Sequence, residues 1–164
     1  MWDLSWRADP RARVLADRHY NRQSVGAPNF VPPGRCLVLL TPDARALWVT
    51  SWPFAEYVRH EWAGAWMNSC FRREGGPLAS ELIRAAIAVT RWRWPDVPPL
   101  GMVTFVDAGK VRHKRDAGRC YKKAGFKKVG ATQGGLIAWQ MLADAMPDPR
   151  PPLNAPLELF EETA

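Results

Sequence analysis

The chain has 164 residues, enough for one domain with a single sizeable core, and its 47% apolar content argues against disorder over most of that length. A net charge of +7 with a pI near 9.8 suits a polyanionic partner such as nucleic acid, the alternative being a merely soluble basic protein. Cys36, Cys70 and Cys120 are scattered and form no CxxC pair, which argues against a disulfide framework or zinc knuckle and for a reducing cytoplasm. No apolar run approaches the ~20 residues that cross a bilayer, and the opening "MWDLSWRADPRARVLADRHY" lacks the apolar core of a signal peptide.

The elements follow in chain order. Residues 10–20 read as a short helix after Pro10, with Val14, Leu15 and Arg18 at helical spacing and His19-Tyr20 at its end. "NRQSVGAPNFVPPG" is a loop rich in Pro and Gly. "RCLVLLT" (35–41) and "ALWVTSW" (46–52) are short apolar runs joined by the turn "PDAR", an antiparallel hairpin. "AEYVRHEWAGAW" fits helix and loop equally, and "WMNSCFRRE" reads as a further strand.

The clearest helix lies in "GGPLASELIRAAIAVTRWRW": Gly75-Gly76 ends the strand, Pro77 suits a first helical position, and Leu78, Leu82, Ala85, Ala86 and Val89 recur at helical spacing. "LGMVTFVDA" reads as a central strand, "AGRCYKKAGF" as a short helix and "GGLIAWQML" as the last strand. The catalytic domain is thus expected over 1–146. The segment 147–164, Pro-rich with an acidic end, is expected to be a tail, solvated or laid over the domain.

Chemistry concentrates in a few places. The strand–glycine turn–helix of "FRREGGPLASELI" exposes backbone N–H groups at the positive end of a helix dipole, either an anion site or an ordinary connection. His19 can be a base, a metal ligand or a packed residue, placed here between a helix and a Pro/Gly loop. Asp107 closes an apolar strand, either forming a turn or aiming a carboxylate into a cleft. Residues 110–128 hold nine cations (Lys110, Arg112, Lys114, Arg115, Arg119, Lys122, Lys123, Lys127 and Lys128) against the single acid Asp116, a pattern of a phosphate-binding face or of a solvated one.

Two resemblances bear on these residues. "FRREGGPLASELI" followed by Tyr121-Lys-Lys-Ala-Gly125-Phe126 resembles the GNAT acyltransferase superfamily, which holds pantetheine pyrophosphate on a strand-to-helix loop of the pattern R/Q-x-x-G-x-G/A. Arg72, Gly75 and Gly76 are the matching cofactor-binding positions. Pro77 stands where Gly or Ala belongs and removes an N–H that the pyrophosphate would use, which counts against an acyl-CoA donor. "ADRHYNR", "FRREGGPLASELI", "TFVDAGKV" and "GRCYKKAGFKKVGAT" together resemble the Mom-type DNA modification proteins of bacteriophages, over roughly residues 16–142.

That second resemblance implies a single GNAT-like domain of the α/β (α+β) class, with a mixed, mostly antiparallel sheet flanked by helices. It also implies an enzyme, acting in the host bacterium's cytoplasm, that converts adenine in double-stranded phage DNA to N6-carbamoylmethyladenine and so shields it from restriction. It carries over His19, Tyr20, Ser80, Asp107 and Tyr121 as catalytic positions, while Lys110, Arg112, Lys114, Arg115, Arg119, Lys122 and Lys123 would meet DNA phosphates.

The amine of adenine is a delocalised, poor nucleophile inside the base stack, so the base must be flipped out or met single-stranded. Trp52, Trp62 and Trp66 are candidates to stack on it, although such rings are more often core, and Asp107 or His19 is a candidate to take its proton. Joining a CH₂ carbon to nitrogen is not acyl transfer, and His19, Tyr20 and Asp107 are ligand types that iron tolerates, so iron is a further expectation. The rivals are an acetyl-CoA-dependent N-acetyltransferase for a small amine or protein lysine, and a non-catalytic DNA-binding protein of the same fold.

Overall fold

The computed structural model of the chain describes residues 1–110 and 116–156. Seven strands form one open sheet: β1 (Asp3–Leu4), β2 (Arg35–Leu40), β3 (Ala46–Trp52), β4 (Trp66–Arg73), β5 (Met102–Val106), β6 (Lys127–Ala131) and β7 (Ile137–Met141), in the order β1-β2-β3-β4-β5-β7-β6. Every neighbouring pair is antiparallel except β4 and β5. The helices are α1 (Pro10–Asp17), α2 (Ala79–Arg93) and α3 (Arg119–Ala124). The chain is therefore a mixed α/β protein on a mostly antiparallel open sheet.

The expected hairpin of residues 35–41 and 46–52 is β2 and β3, in register from Arg35 opposite Trp52 to Leu40 opposite Leu47. Both of its faces are buried. Leu37, Leu39 and Trp48 pack with Leu82, Ile83 and Ala86 of α2, while Val38, Leu40, Leu47 and Val49 pack with Ala12, Leu15 and Ala16 of α1. That two-sided burial is why these strands read as continuous apolar runs rather than alternating ones.

α1 stops at Asp17, short of the expected residue 20, and its N-terminus is capped by the Asp9 carboxylate on the Arg11 N–H (2.9 Å). α2 begins at Ala79, two residues beyond Pro77, so the expectation of Pro77 as first helical residue is corrected. The cause lies in the cap: Leu78 is extended, its N–H donates to the Glu81 carboxylate (3.2 Å), and its side chain is exposed. The ambiguous segment after Pro53 has a single 3₁₀ turn, Ala55–Tyr57, followed by turns up to β4.

Two short strands have no counterpart in the sequence pattern. β1 is a two-residue edge held to β2, and β6, all exposed, is paired only with β7. Residues 147–156 lie over the domain. The Arg150 N–H donates to the Ala88 carbonyl, the Leu153 N–H to the Trp2 carbonyl, and the Asn154 amide brackets Leu4 with bonds of 2.7 and 3.1 Å.

What positions the site is the junction of β4 and β5. They pair only from Trp66–Met102 to Asn68–Thr104, and then part. A bulge opposite Val49/Thr50 gives β4 an extra residue, Ser69, and switches its faces. Trp66 and Phe71 lie on the α2 side, whereas Cys70 lies on the α1 side. Asn68 stabilises the bulge itself, its amide donating to the carbonyls of Val49 (3.1 Å) and Cys70 (2.9 Å).

Candidate active site

Where β4 and β5 diverge, a cleft of about 740 Å³ opens, lined by His19, Tyr20, Phe71, Arg73, Leu78, Ser80, Val106, Asp116, Arg119, Cys120, Tyr121 and Lys123 among others. Four of the five catalytic positions expected from sequence, His19, Tyr20, Ser80 and Tyr121, thus line one cleft. They come from the end of α1, the start of α2 and the middle of α3. Arg119 and Lys123 face the same cleft, so the cationic helix borders the candidate site rather than the far side of the protein.

His19 and Tyr20 stack with ring centroids 4.5 Å apart at 28°. Burial pushes the His19 imidazole below its ordinary value, the Asn21 hydrogen bond opposes this, and the nearby Arg72 charge adds to the lowering. Burial thus favours the neutral imidazole. Asn21 holds the ring: its Oδ1 lies 2.5 Å and its backbone nitrogen 3.2 Å from His19 Nδ1, the tautomer deciding which of the two is bonded, and its amide donates to the Ser69 carbonyl at the bulge (3.2 Å). The Tyr20 phenol is raised above its usual range, first by burial and further by the Asp107 charge, while a hydrogen bond with the Asp107 backbone pulls the other way.

Asp107 is adjacent to the cleft through that contact but is not among its lining residues. Its Oδ1 accepts the Gly109 N–H (3.0 Å), the turn-forming role left open by the sequence. Arg72 also stands apart. Its Nε donates to Glu74 (2.9 Å) and a terminal nitrogen to the Arg18 carbonyl (2.7 Å), so it fastens the end of α1 to β4. Gly75 and Gly76 are likewise outside the lining.

Arg73, which no sequence motif singles out, is the β4 arginine that lines the cleft. It donates to the carbonyls of Pro77 (2.6 Å) and Gly76 (2.9 Å), closing the turn on itself. The neighbouring guanidinium of Arg45 packs where a side chain at position 75 would begin.

The expectation that tryptophans stack on the base is corrected. Trp66 and Trp62 are buried, and half-buried Trp52 packs on Trp66 and Trp94 and carries Arg35 over its ring at 4.0 Å. These rings belong to the core at the sheet's other end, and the rings lining the cleft are His19, Tyr20, Phe71 and Tyr121.

A second recess of about 640 Å³ shares Asp116 with the first and is lined by Lys122, Lys127, Lys128, Phe126 and Trp139. Lys122 of the expected DNA-binding set is here, together with two lysines of β6. Lys110 is not among the lining residues of either, and Arg112, Lys114 and Arg115 lie outside the described residues.

Among the described residues, no three His, Cys, Asp or Glu side chains gather as metal ligands. No helix among the described residues is long and apolar enough to cross a membrane. No protein-family model, curated protein or solved structure matches the chain at a significant level.

Proposed function

We propose that the chain is a Mom-type transferase that modifies the N6 amine of adenine in DNA, with the β4–β5 cleft as its active site. The observation that carries this reading is the convergence of His19, Tyr20 and Ser80 in one cleft whose rim supplies Arg73, Arg119 and Lys123. A neutral base beside cations is what an amine on a polyanion requires. The cations hold the backbone while the base takes the proton that the amine sheds as its nitrogen attacks the CH₂ carbon of a carbamoylmethyl donor; the bond from that carbon to the donor's leaving group breaks, and the leaving group departs with the electron pair.

Tyr20, exposed and stacked on His19, offers a face against which an extruded base can lie. Ser80, at the start of α2, offers a hydroxyl beside the positive helix end. The basic recess under Lys122, Lys127 and Lys128 extends the track along which flanking phosphates would run.

The acetyl-CoA reading has less support. The Gly76 and Pro77 carbonyls are turned onto Arg73, the Leu78 N–H is taken by Glu81, and that carboxylate puts negative charge where a pyrophosphate would sit. The test is to express the gene in a bacterium, digest plasmid DNA and analyse the nucleosides by mass spectrometry. An adenosine heavier by one carbamoylmethyl group is expected. Unmodified DNA together with salt-dependent DNA binding would instead favour the non-catalytic reading, and saturable acetyl-CoA binding by calorimetry would favour the acetyltransferase.

A further inference from the structure

At the point where the β4–β5 ladder ends, the chain buries a closed polar cluster that no motif announces. The Tyr121 hydroxyl of α3 lies 2.7 Å from Asn68 Oδ1 of β4, and the Thr104 hydroxyl of β5 lies 3.2 Å from the same oxygen. Asn68 and Thr104 are 5% and 2% exposed, and Tyr121 is 8% exposed.

The direction of each bond follows from Asn68. Its amide nitrogen has two donors, and both are spent on the Val49 and Cys70 carbonyls at the bulge. The amide therefore cannot flip without turning its oxygen onto two carbonyls. With Oδ1 fixed toward α3, the phenol must be the donor. Thr104, which also bonds the phenol, supplies the other hydrogen of the cluster.

From this we propose that Asn68 is a positioning residue that commits the Tyr121 hydroxyl proton to the sheet. Tyr121 then shapes the cleft wall with its ring and gives no proton to a bound substrate, and proton transfer belongs to the His19 side of the cleft. This rests on reading the cleft as a transferase site only for its catalytic consequence; the proton's direction is a property of the folded chain. The arrangement also explains why the strands part here. Beyond Asn68 the Tyr121 ring packs against Phe71 and Phe126, at centroid distances of 6.4 and 5.4 Å.

Proton NMR of the full chain tests the direction without any substrate. A hydroxyl proton in slow exchange with water is expected in the native protein, absent in Tyr121→Phe, lost in Asn68→Leu and retained in Thr104→Val. Absence of that resonance from the native protein, or its loss in Thr104→Val with retention in Asn68→Leu, overturns the proposal. Modified adenine in plasmid DNA gives the catalytic arm. Tyr121→Phe is expected to keep product within ~10-fold of the native level, since a structural hydroxyl is removed, whereas loss of a general acid typically costs roughly 10²–10⁴-fold. A folded Tyr121→Phe protein with no product overturns the proposal. If the native protein makes no product, the transferase reading fails while the NMR arm still decides the role of Asn68.

Discussion

The cations on the α1 side of the molecule and those on the α3–β6 edge differ in their partners. On the α1 side the arginines are engaged. Arg11 pairs with Asp9, Arg22 with Asp17, and Arg18 and Arg72 share Glu74. Arg22 donates further to the carbonyls of Asn29 and Ala27, stapling the loop after α1. These four are the ion pairs among the described residues, and none of them involves Arg119, Lys122, Lys123, Lys127 or Lys128 on α3 and β6, where Asp116 is the one carboxylate lining the two recesses. Cations crowded on a short helix and an edge strand with few acids beside them repel one another and are stabilised when a polyanion arrives.

The most forceful way to break this contrast is to remove the lysines of the edge. Lys122, Lys123, Lys127 and Lys128 changed together to Ala are expected to leave the folding transition in place while lowering DNA affinity by ~10² or more. The slope of log K against log salt should flatten by about 0.9 for each phosphate that the variant no longer neutralises. Fluorescence anisotropy with a labelled duplex across a salt series measures both. An unchanged slope would mean that this face is merely solvated.

On the α1 side the expected effects are on stability, and they are smaller. Asp9→Ala removes a helix cap that also accepts from Ser5 (2.7 Å) and Arg11, and should cost about 0.5–2 kcal/mol in denaturant unfolding. Burial raises the Asp9 carboxyl, but the Arg11 and Ser5 hydrogen bonds outweigh it, and the net effect is a lowered value. A carboxylate lowered on folding contributes fully above its unfolded value near ~3.9 and loses that contribution as pH falls through the lower folded value. The cost of Asp9→Ala should therefore shrink in strongly acidic buffer. Glu74→Gln, breaking two partly exposed pairs, should cost about 1 kcal/mol and leave the DNA salt slope as it was.

Most of the sheet and helices are legible in the sequence, for a physical reason. Residues 35–52 and 79–93 bury large apolar side chains at the period of their element, so the pattern and the packing carry the same information. β6 is hidden because "KKVGA" buries nothing, being held as a strand only by its pairing with β7. Motif spacing points to Arg72 where the cleft holds Arg73. Adjacent residues on a strand point to opposite faces, and a bulge at Ser69 swaps which face is which, a switch that spacing cannot register. Asn68 gives no signal beyond being an amide inside an apolar strand, and such a residue is costly to bury unless its hydrogen bonds are all made.

His19 sharpens the contrast in another way, because its lowered proton affinity reflects burial first and then the charge of the same Arg72 that braces α1. Single-turnover modification with the purified protein should hold its rate down to a pH below the ordinary histidine value near ~6.5, then fall as the imidazole gains its proton. Arg72→Met removes the positive neighbour and should move that acidic limb upward, toward the ordinary value. A modification rate and acidic limb that both survive His19→Gln would exclude His19 as the base.

The smallest expected effect is also the one that separates His19 from Asp107. In the turn after β5, Asp107 uses one carboxylate oxygen to accept the Gly109 N–H, and the carbonyl oxygen of an asparagine side chain does the same. Asp107→Asn should therefore keep the turn, the Asp107 backbone contact to Tyr20 and the modified adenine, with a stability change within ~0.5 kcal/mol. Asp107→Ala loses the turn bond and should show a larger drop in melting temperature, with reduced product following from a displaced Tyr20. Were the carboxylate the base that accepts the amine proton, the amide would be as inactive as the alanine, because an amide oxygen cannot hold that proton near neutral pH. Comparing the two variants thus isolates charge from geometry at one position.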